Sequence, residues 1–402
     1  MKIGILTFAK IANFGANLQA FSTYSYLEKL GYNPIIINWQ PNDFIETTKK
    51  YDEQYREHIQ FVDKYMKQTN LCFTENDINN EIKRCEIKAV IIGSDAVLQT
   101  FPFLARLRIS KRIFTIEKIT SERLFPNAFW GTWNTNGKIP VALMSASCQN
   151  TQFYYLPWHI KRKMYELIKQ FSYISVRDSW TFSMIKQITN NNILPPITPD
   201  PVFAFNQNIK DLIPTKDFIC KQYNLSENYL LFSFKDPSII SMKWLSQFKE
   251  STKHECVALP MPNGIKFDHP NFKEITIPLS PLHWYALIKY SQGYIGQNMH
   301  PIIVALHNSV PFYCFDSYGI KKISRTFVIN KTSKIYHILK EFDFLNNRCA
   351  SSLRFSRQPS INTVLNAINS FDKEKCKITS EQKYKEYIHM MQNIISSFKF
   401  NK

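Results

Sequence analysis

Glycine is scarce, with 10 residues in 402, where ordinary usage is about 7%. No three glycines lie close enough together to build a Gly-rich phosphate loop, and collagen-like or Gly-rich repeat architectures are excluded. No segment approaches the roughly 18 consecutive apolar residues that cross a bilayer as a helix. No run of five or six Lys/Arg is present, which argues against a nucleic-acid-binding tail. None of the eight cysteines falls in a CxxC or CxxH pair; this disfavours a zinc ribbon or a dithiol redox motif, and the thiols read as reduced and mostly buried. The opening MKIGILTF lacks a small-residue cleavage pattern and is read as a first strand rather than a secretory signal. There is no internal repeat and no low-complexity tract.

What is present is apolar and basic. Hydrophobic residues make up 44% and charged residues 20%, with 31 Phe and 20 Tyr; a wholly disordered chain is excluded. The length suits two to three domains. The net charge of +18 draws in anions, whether phosphorylated or carboxylated small molecules, nucleic acid or an acidic membrane surface. Its densest stretch is Arg106 to Arg123.

The periodicities alternate between strand and helix. Apolar runs at 3–8, 35–37, 89–92, 141–147 and 173–176 read as buried parallel strands. Between the first two, Leu18 to Leu30 has helical spacing and Gly31 ends it. After a boundary within 206–228 the pattern restarts, with strands at 229–234, 256–260, 293–295 and 311–315 and helices at 240–249, 281–292 and 301–308. The chain from 346 is mostly polar and ends in an amphipathic helix striped by Tyr387, Met391, Ile394 and Phe398. The expected fold is α/β: two doubly wound Rossmann-like domains at 1–215 and 216–345, followed by a helical tail at 346–402. Ligands of such sheets bind at the carboxyl ends of the strands, so the expected site is the cleft between domains.

Polar groups follow those strand ends: Asn13, Gly15 and Asn17; Ser94 and Asp95; Ser145 and Ser147; Arg177 and Asp178; then Asn298 and His300 before a helix. Arg177 has the planar fork that clamps carboxylate or phosphate. A histidine at a helix start can move protons beside a bound anion. Each has a plainer reading. His300 can be a hydrogen-bonded structural residue, Asp95 a helix cap, Arg177–Asp178 a surface pair of little energy, and Asn13–Asn17 a turn. The terminal stripe can pack on the protein or on a membrane surface.

In order and spacing these segments resemble the polysaccharide pyruvyl transferase family over roughly residues 1–330. The N-x-G-A-x-L-Q element is Asn13-Phe14-Gly15-Ala16-Asn17-Leu18-Gln19. G-S-D is Gly93-Ser94-Asp95, S-V-R-D is Ser175-Val176-Arg177-Asp178, and the D-P turn is Asp200-Pro201. The late (S/T)-D-(R/S)-x-H-G and P-F elements correspond to Gln297-Asn298-Met299-His300-Pro301 and Pro311-Phe312. The departures are Asn298 where catalytic members often have Arg, Gln297 for the acidic residue, and Pro301 for the glycine.

The resemblance implies a GT-B-like fold with the acceptor on the N-terminal side and the donor on the C-terminal side. It implies transfer of the enolpyruvyl/pyruvyl group of phosphoenolpyruvate to a sugar of a cell-surface polysaccharide precursor. It casts His300 and Asp95 as catalytic, with Arg177, Asn298, Lys322 and Arg325 binding the donor. Asn13, Gly15, Asn17 and Ser147 form the acceptor or cleft loop. Lys321 is a further candidate to replace the missing cation. The basic, aromatic 101–138 stretch, with Trp130 and Trp133, is a candidate to face an anionic, lipid-diphosphate-linked acceptor. No metal and no cofactor is expected besides phosphoenolpyruvate as donor substrate, and no nucleic acid. The expected location is cytoplasmic, at the inner face of the membrane in peripheral association, in bacterial exopolysaccharide or capsule biosynthesis. The alternatives are a GT-B-type glycosyltransferase using a nucleotide sugar and a non-catalytic member of the family.

Overall fold

A computed structural model of the chain describes residues 1–48, 52–110, 113–134, 137, 139–234, 240–261, 271–322, 327–329, 332–350 and 358–400. The first half is built on strands β1 (Lys2–Leu6), β2 (Asn33–Ile36) and β3 (Ala89–Asp95). A hairpin, β4 (Leu107–Ser110) and β5 (Ile113–Ile116), precedes β6 (Val141–Ala146) and β7 (Tyr173–Val176). The main sheet is parallel, in the order β2-β1-β3-β6-β7. The second half holds β8 (Tyr229–Ser233), β9 (Glu255–Ala258), β10 (Lys273–Glu274), β11 (Tyr294–Gly296) and β12 (Phe312–Asp316). A short antiparallel pair, β13 (Ile320–Lys322) and β14 (Phe327–Ile329), and then β15 (Arg348–Ala350) follow. Its sheet is also parallel, in the order β10-β9-β8-β11-β12-β15. Both sheets are α/β and Rossmann-like, and their strands read as continuous apolar runs because helices cover both faces.

The chain after 345 is not a separate tail. Residues 348–350 add the sixth strand of the second sheet, and helix Ile361–Asn369 packs on β12. The periodicity was too short to show this, since a three-residue edge strand has no pattern to read. The final helix, Lys373–Ser397, crosses back to the first half. Its Met390 sulfur accepts hydrogen bonds from Ser145 and Ser175 at 3.1 and 3.4 Å, and its Cys376 thiol donates to the Leu306 carbonyl at 3.2 Å. Its Tyr387–Met391–Ile394 stripe is buried protein core.

One apolar cluster runs through both halves and joins helices Phe14–Lys29, Pro281–Tyr290 and Met299–His307 to the terminal helix. The Phe14 ring stacks on Trp284, with centroids 5.0 Å apart. The Gln54 side-chain amide pairs with both backbone groups of Leu279, each bond 2.8 Å. Trp284 and Tyr285 are fully buried at this junction; truncating either to Ala should cost about 3–5 kcal/mol. The junction fixes how the strand ends of the two sheets oppose each other. All eight cysteines are free thiols. Among the described residues, no helix is long and apolar enough to cross a membrane.

Candidate active site

The sheet ends meet around a cavity of about 380 Å³. Asn13, Asp95, Gln99, Arg123 and Gln149 line it from the first half, and Met261, Asn298, His300, Tyr318 and Lys334 from the second. Each local path explains a position. Asn13 caps helix Phe14–Lys29 by accepting from the Ala16 N–H at 3.2 Å, so the helix starts four residues before its apolar spacing begins. Gly15 falls in its first turn. A Cβ there would stand 2.0 Å from Cγ of His300, so only glycine lets this helix and the His300 ring meet across the two halves. At the end of β3, Gly93 has φ +110° and lies against the Met144 carbonyl, which a Cβ would meet at 2.3 Å. Asp95 then takes φ +80°, a backbone state unfavourable for a non-glycine residue and typical of functional sites. It caps no helix.

Arg177 is almost fully buried. Its guanidinium donates to Asp200 at 2.8 Å and to Asp95 at 3.4 Å. Gln19 also donates to Asp200. Arg177 is thus no surface pair with Asp178; Asp178 caps the next helix through the Thr181 N–H at 2.7 Å. Nor does Arg177 line the cavity. Two carboxylates occupy its fork, so the expected donor clamp is instead the group that holds Asp95 in place. Burial pushes the Asp95 carboxyl up, but Arg177, His300 and Lys334 together hold it below the ordinary range.

His300 lies in the first turn of helix Met299–His307, behind Asn298 at the cap position. Asn298 makes no side-chain cap bond; its amide nitrogen contacts the Met261 sulfur at 3.2 Å. No side chain therefore caps the first-turn N–H groups of this helix, a terminus of the kind that suits an anion, and Pro301 has no N–H to satisfy. His300 Nε2 is buried without a hydrogen-bond partner among the described residues. Burial lowers the His300 pKa to about 4, against the pull of Asp95 and Asp200, so the resting ring is neutral.

A cation that the sequence reading did not single out, Lys334, also lines the cavity. It opens helix Lys334–Glu341, behind the Ser333 cap. Both the helix dipole and burial oppose a charge there, and its pKa falls to about 8 through burial and then Arg177. Its Nζ sits 4.9 Å above the Tyr318 ring, and no ion pair reaches it among the described residues. The one available signal was S-K at a helix start, a cation where an acid is the rule. Arg325 lies outside the described residues, and of Lys321 and Lys322 only the backbone is described.

Other expectations land elsewhere. Asn17 is buried and does not line the cavity: it donates to the Ala9 carbonyl at 2.6 Å and accepts from His58 Nδ1 at 2.5 Å. Ser147 is likewise buried, donating to Asp178 at 2.7 Å. Trp130 and Trp133 are core residues of the first half; among the described residues of the 101–138 stretch it is Arg123 that reaches the cavity. Phe8 and Phe44, 6.5 Å apart, form an apolar flank. Among the described residues no group of His, Cys, Asp or Glu could hold a metal ion.

Two Rossmann-like sheets with the site between them define a GT-B-like α/β protein, and solved structures of that shape agree. The chain is similar to UDP-N-acetylglucosamine 2-epimerase from Rickettsia bellii, with TM-score 0.58, 10% identity, and 99% of this chain and 97% of that one covered. The putative enzyme of the same name from Listeria monocytogenes gives 0.55 at 10%, over 100% and 97%. The one from Neisseria meningitidis, bound to UDP-GlcNAc, gives 0.53 at 11%, over 98% and 100%. At such identities the likeness carries the fold alone. No curated protein matches the chain. The sequence model of the polysaccharide pyruvyl transferases matches residues 13–318, and the chain belongs to that family, which implies a transferase.

Proposed function

We propose that this cavity transfers the pyruvyl group of phosphoenolpyruvate to a sugar of a cell-surface polysaccharide precursor. The supporting observation is the meeting of Asp95, His300, Lys334 and an uncapped helix start in one cavity. The ammonium of Lys334 and the first-turn N–H groups suit the carboxylate and phosphate of the donor. A bound anion raises the pKa of the neutral His300 ring, so donor binding brings a proton with it. That proton goes to the methylene carbon of phosphoenolpyruvate and leaves the central carbon electrophilic. A sugar hydroxyl attacks there, forming a C–O bond and giving its proton to the Asp95 carboxylate. The bond to the phosphate oxygen then breaks and phosphate leaves with the proton held on Asp95; a second hydroxyl attacks the carbon so exposed and returns its proton to His300, which closes the cyclic ketal. Arg177 acts as a positioning residue, holding Asp95 and Asp200.

The test is calorimetry with phosphoenolpyruvate, then phosphate release with methyl glycosides and UDP-linked hexoses as acceptors. Donor binding that is lost in Lys334→Ala, and release that is lost in His300→Ala, is the expected result. No heat with phosphoenolpyruvate but a response to UDP would favour a nucleotide-sugar enzyme instead.

A further inference from the structure

Sixteen large apolar residues are exposed among the described residues, and seven of them fall in two short segments. Phe103, Leu104, Leu107 and Ile116 belong to one, and Tyr154, Tyr155 and Trp158 to the other. The other nine occur singly or as the pairs Leu71/Phe73 and Leu194/Ile197, as is normal for a surface. The two segments are neighbours in space. The Leu98 N–H donates to the Ser147 carbonyl at 3.1 Å and the Thr100 N–H to Thr151 Oγ1 at 2.9 Å, which sets the turn Phe103–Arg106 beside the turn Phe153–Tyr155. Trp158 is 72% exposed, Phe103 58% and Leu104 55%. Such side chains in one patch require a partner.

The chemistry of the surroundings names it. Lys118, Arg123, Arg162 and Lys163 are exposed on the same two stretches, and residues 152–165 contain no acid. Trp and Tyr among aliphatic tips, with cations beside them, match the headgroup boundary of an anionic bilayer, where amphipathic rings seat and each nearby Lys or Arg adds attraction. The first of these segments is tied to a cavity-lining residue: the Phe101 N–H donates to the Arg123 carbonyl at 3.3 Å. Gln99, Arg123 and Gln149 line that cavity, and Gln99 and Gln149 stand a few residues before the two apolar segments.

We propose that this patch docks the protein on an anionic lipid surface, with the cavity mouth facing the bilayer. Resting on the pyruvyl-transfer reading, the acceptor class is then a saccharide carried on a lipid anchor, offered to the cavity from the membrane plane.

The experiment is sedimentation with sucrose-loaded vesicles. One set mixes phosphatidylglycerol and phosphatidylcholine, and the other is pure phosphatidylcholine. The whole chain should sediment with the anionic vesicles, less so at high salt, and weakly with the neutral ones. Phe103→Ser/Leu104→Ser/Trp158→Ser should lower the partition coefficient by about tenfold or more, and Arg162→Glu/Lys163→Glu should lower it on anionic vesicles alone. The mutated side chains are exposed, and an unchanged melting temperature shows that the fold survives. No partition of the unmodified chain, or partition indifferent to both variants, overturns the proposal. So does a dimer in ultracentrifugation that the triple variant dissociates while vesicles are ignored, since a second copy would then be the occupant. Vesicle binding needs neither donor nor acceptor, so failure of phosphoenolpyruvate to bind strikes the reaction and leaves this result standing.

Discussion

The two walls of the cleft are built differently. The first half brings two carboxylates, Asp95 and Asp200, and closes them on the one guanidinium of Arg177. The second brings a neutral imidazole, an ammonium and an uncapped helix start, with no carboxylate among its cavity-lining residues. One wall spends the Arg177 guanidinium inside its acid lattice and turns Arg123 to the cavity, while the other presents the Lys334 ammonium with no carboxylate beside it on that wall. On the proposed reaction the anionic donor sits against the second, and the hydroxyl that must lose its proton sits against Asp95. On the same reading, the cation that Asn298 cannot supply comes from Lys334, at the start of another helix.

Breaking the acid lattice should have the largest effect. Arg177→Ala leaves Asp95 and Asp200 facing each other with their counter-charge gone. Removing one partner of a buried ion pair costs about 3–5 kcal/mol, which denaturant unfolding would register. If the variant melts with the parent and loses only donor affinity, Arg177 is a clamp after all and the contrast between the walls fails.

Lys334→Ala should come next, with donor affinity down by about 10- to 100-fold, the worth of a charge-assisted hydrogen bond of roughly 1.5–3 kcal/mol, and unfolding little changed. The ammonium is held below its pKa of about 8, so the unmodified protein should bind phosphoenolpyruvate steadily at neutral pH and progressively less as pH rises above 8. Lys334→Arg should keep the affinity and remove that alkaline fall. Persistence of the fall in the Arg variant would assign it to another group.

The contrast between the walls was legible in the sequence only in part. The principal strands followed from apolar runs, because parallel strands buried on both faces carry a continuous signal, while their order in the sheets did not. Asp95 stood at a strand end and His300 at a helix start, where ligands collect. What Arg177 faces could not be read, since Asp200 is 23 residues away and only the fold turns it back. Asn17 and Ser147 look like loop residues, yet their side chains point into the protein. Lys334 was hidden because a single lysine carries no pattern; its meaning lies in burial and in the helix behind it.

Acid should loosen the junction of the walls. In the unfolded chain a histidine titrates near 6.5. Burial keeps His58 and His307 neutral to about 3 and His300 to about 4. Between those values the unfolded chain binds the extra protons, so this stability is complete above pH 6.5 and is lost as pH falls toward 4. His58 donates to Asn17 and accepts from the Gln54 amide that pairs with Leu279. His58→Gln should lower stability at neutral pH and flatten the acid limb by up to about 1.4 kcal/mol per pH unit. An unaltered slope would mean that His58 is protonated in the fold.

The smallest effect is expected at Ser147, where the sequence placed a cleft residue and the fold places a strut. Its hydroxyl donates to Asp178 and accepts the Gln149 N–H at 3.0 Å, so Ser147→Ala should cost about 1 kcal/mol of stability and leave phosphoenolpyruvate affinity within twofold. Gln149 does line the cavity. A loss of donor affinity larger than the loss of stability would therefore show that the first wall touches the donor through Gln149, and the division of labour between the walls would need to be redrawn around that residue.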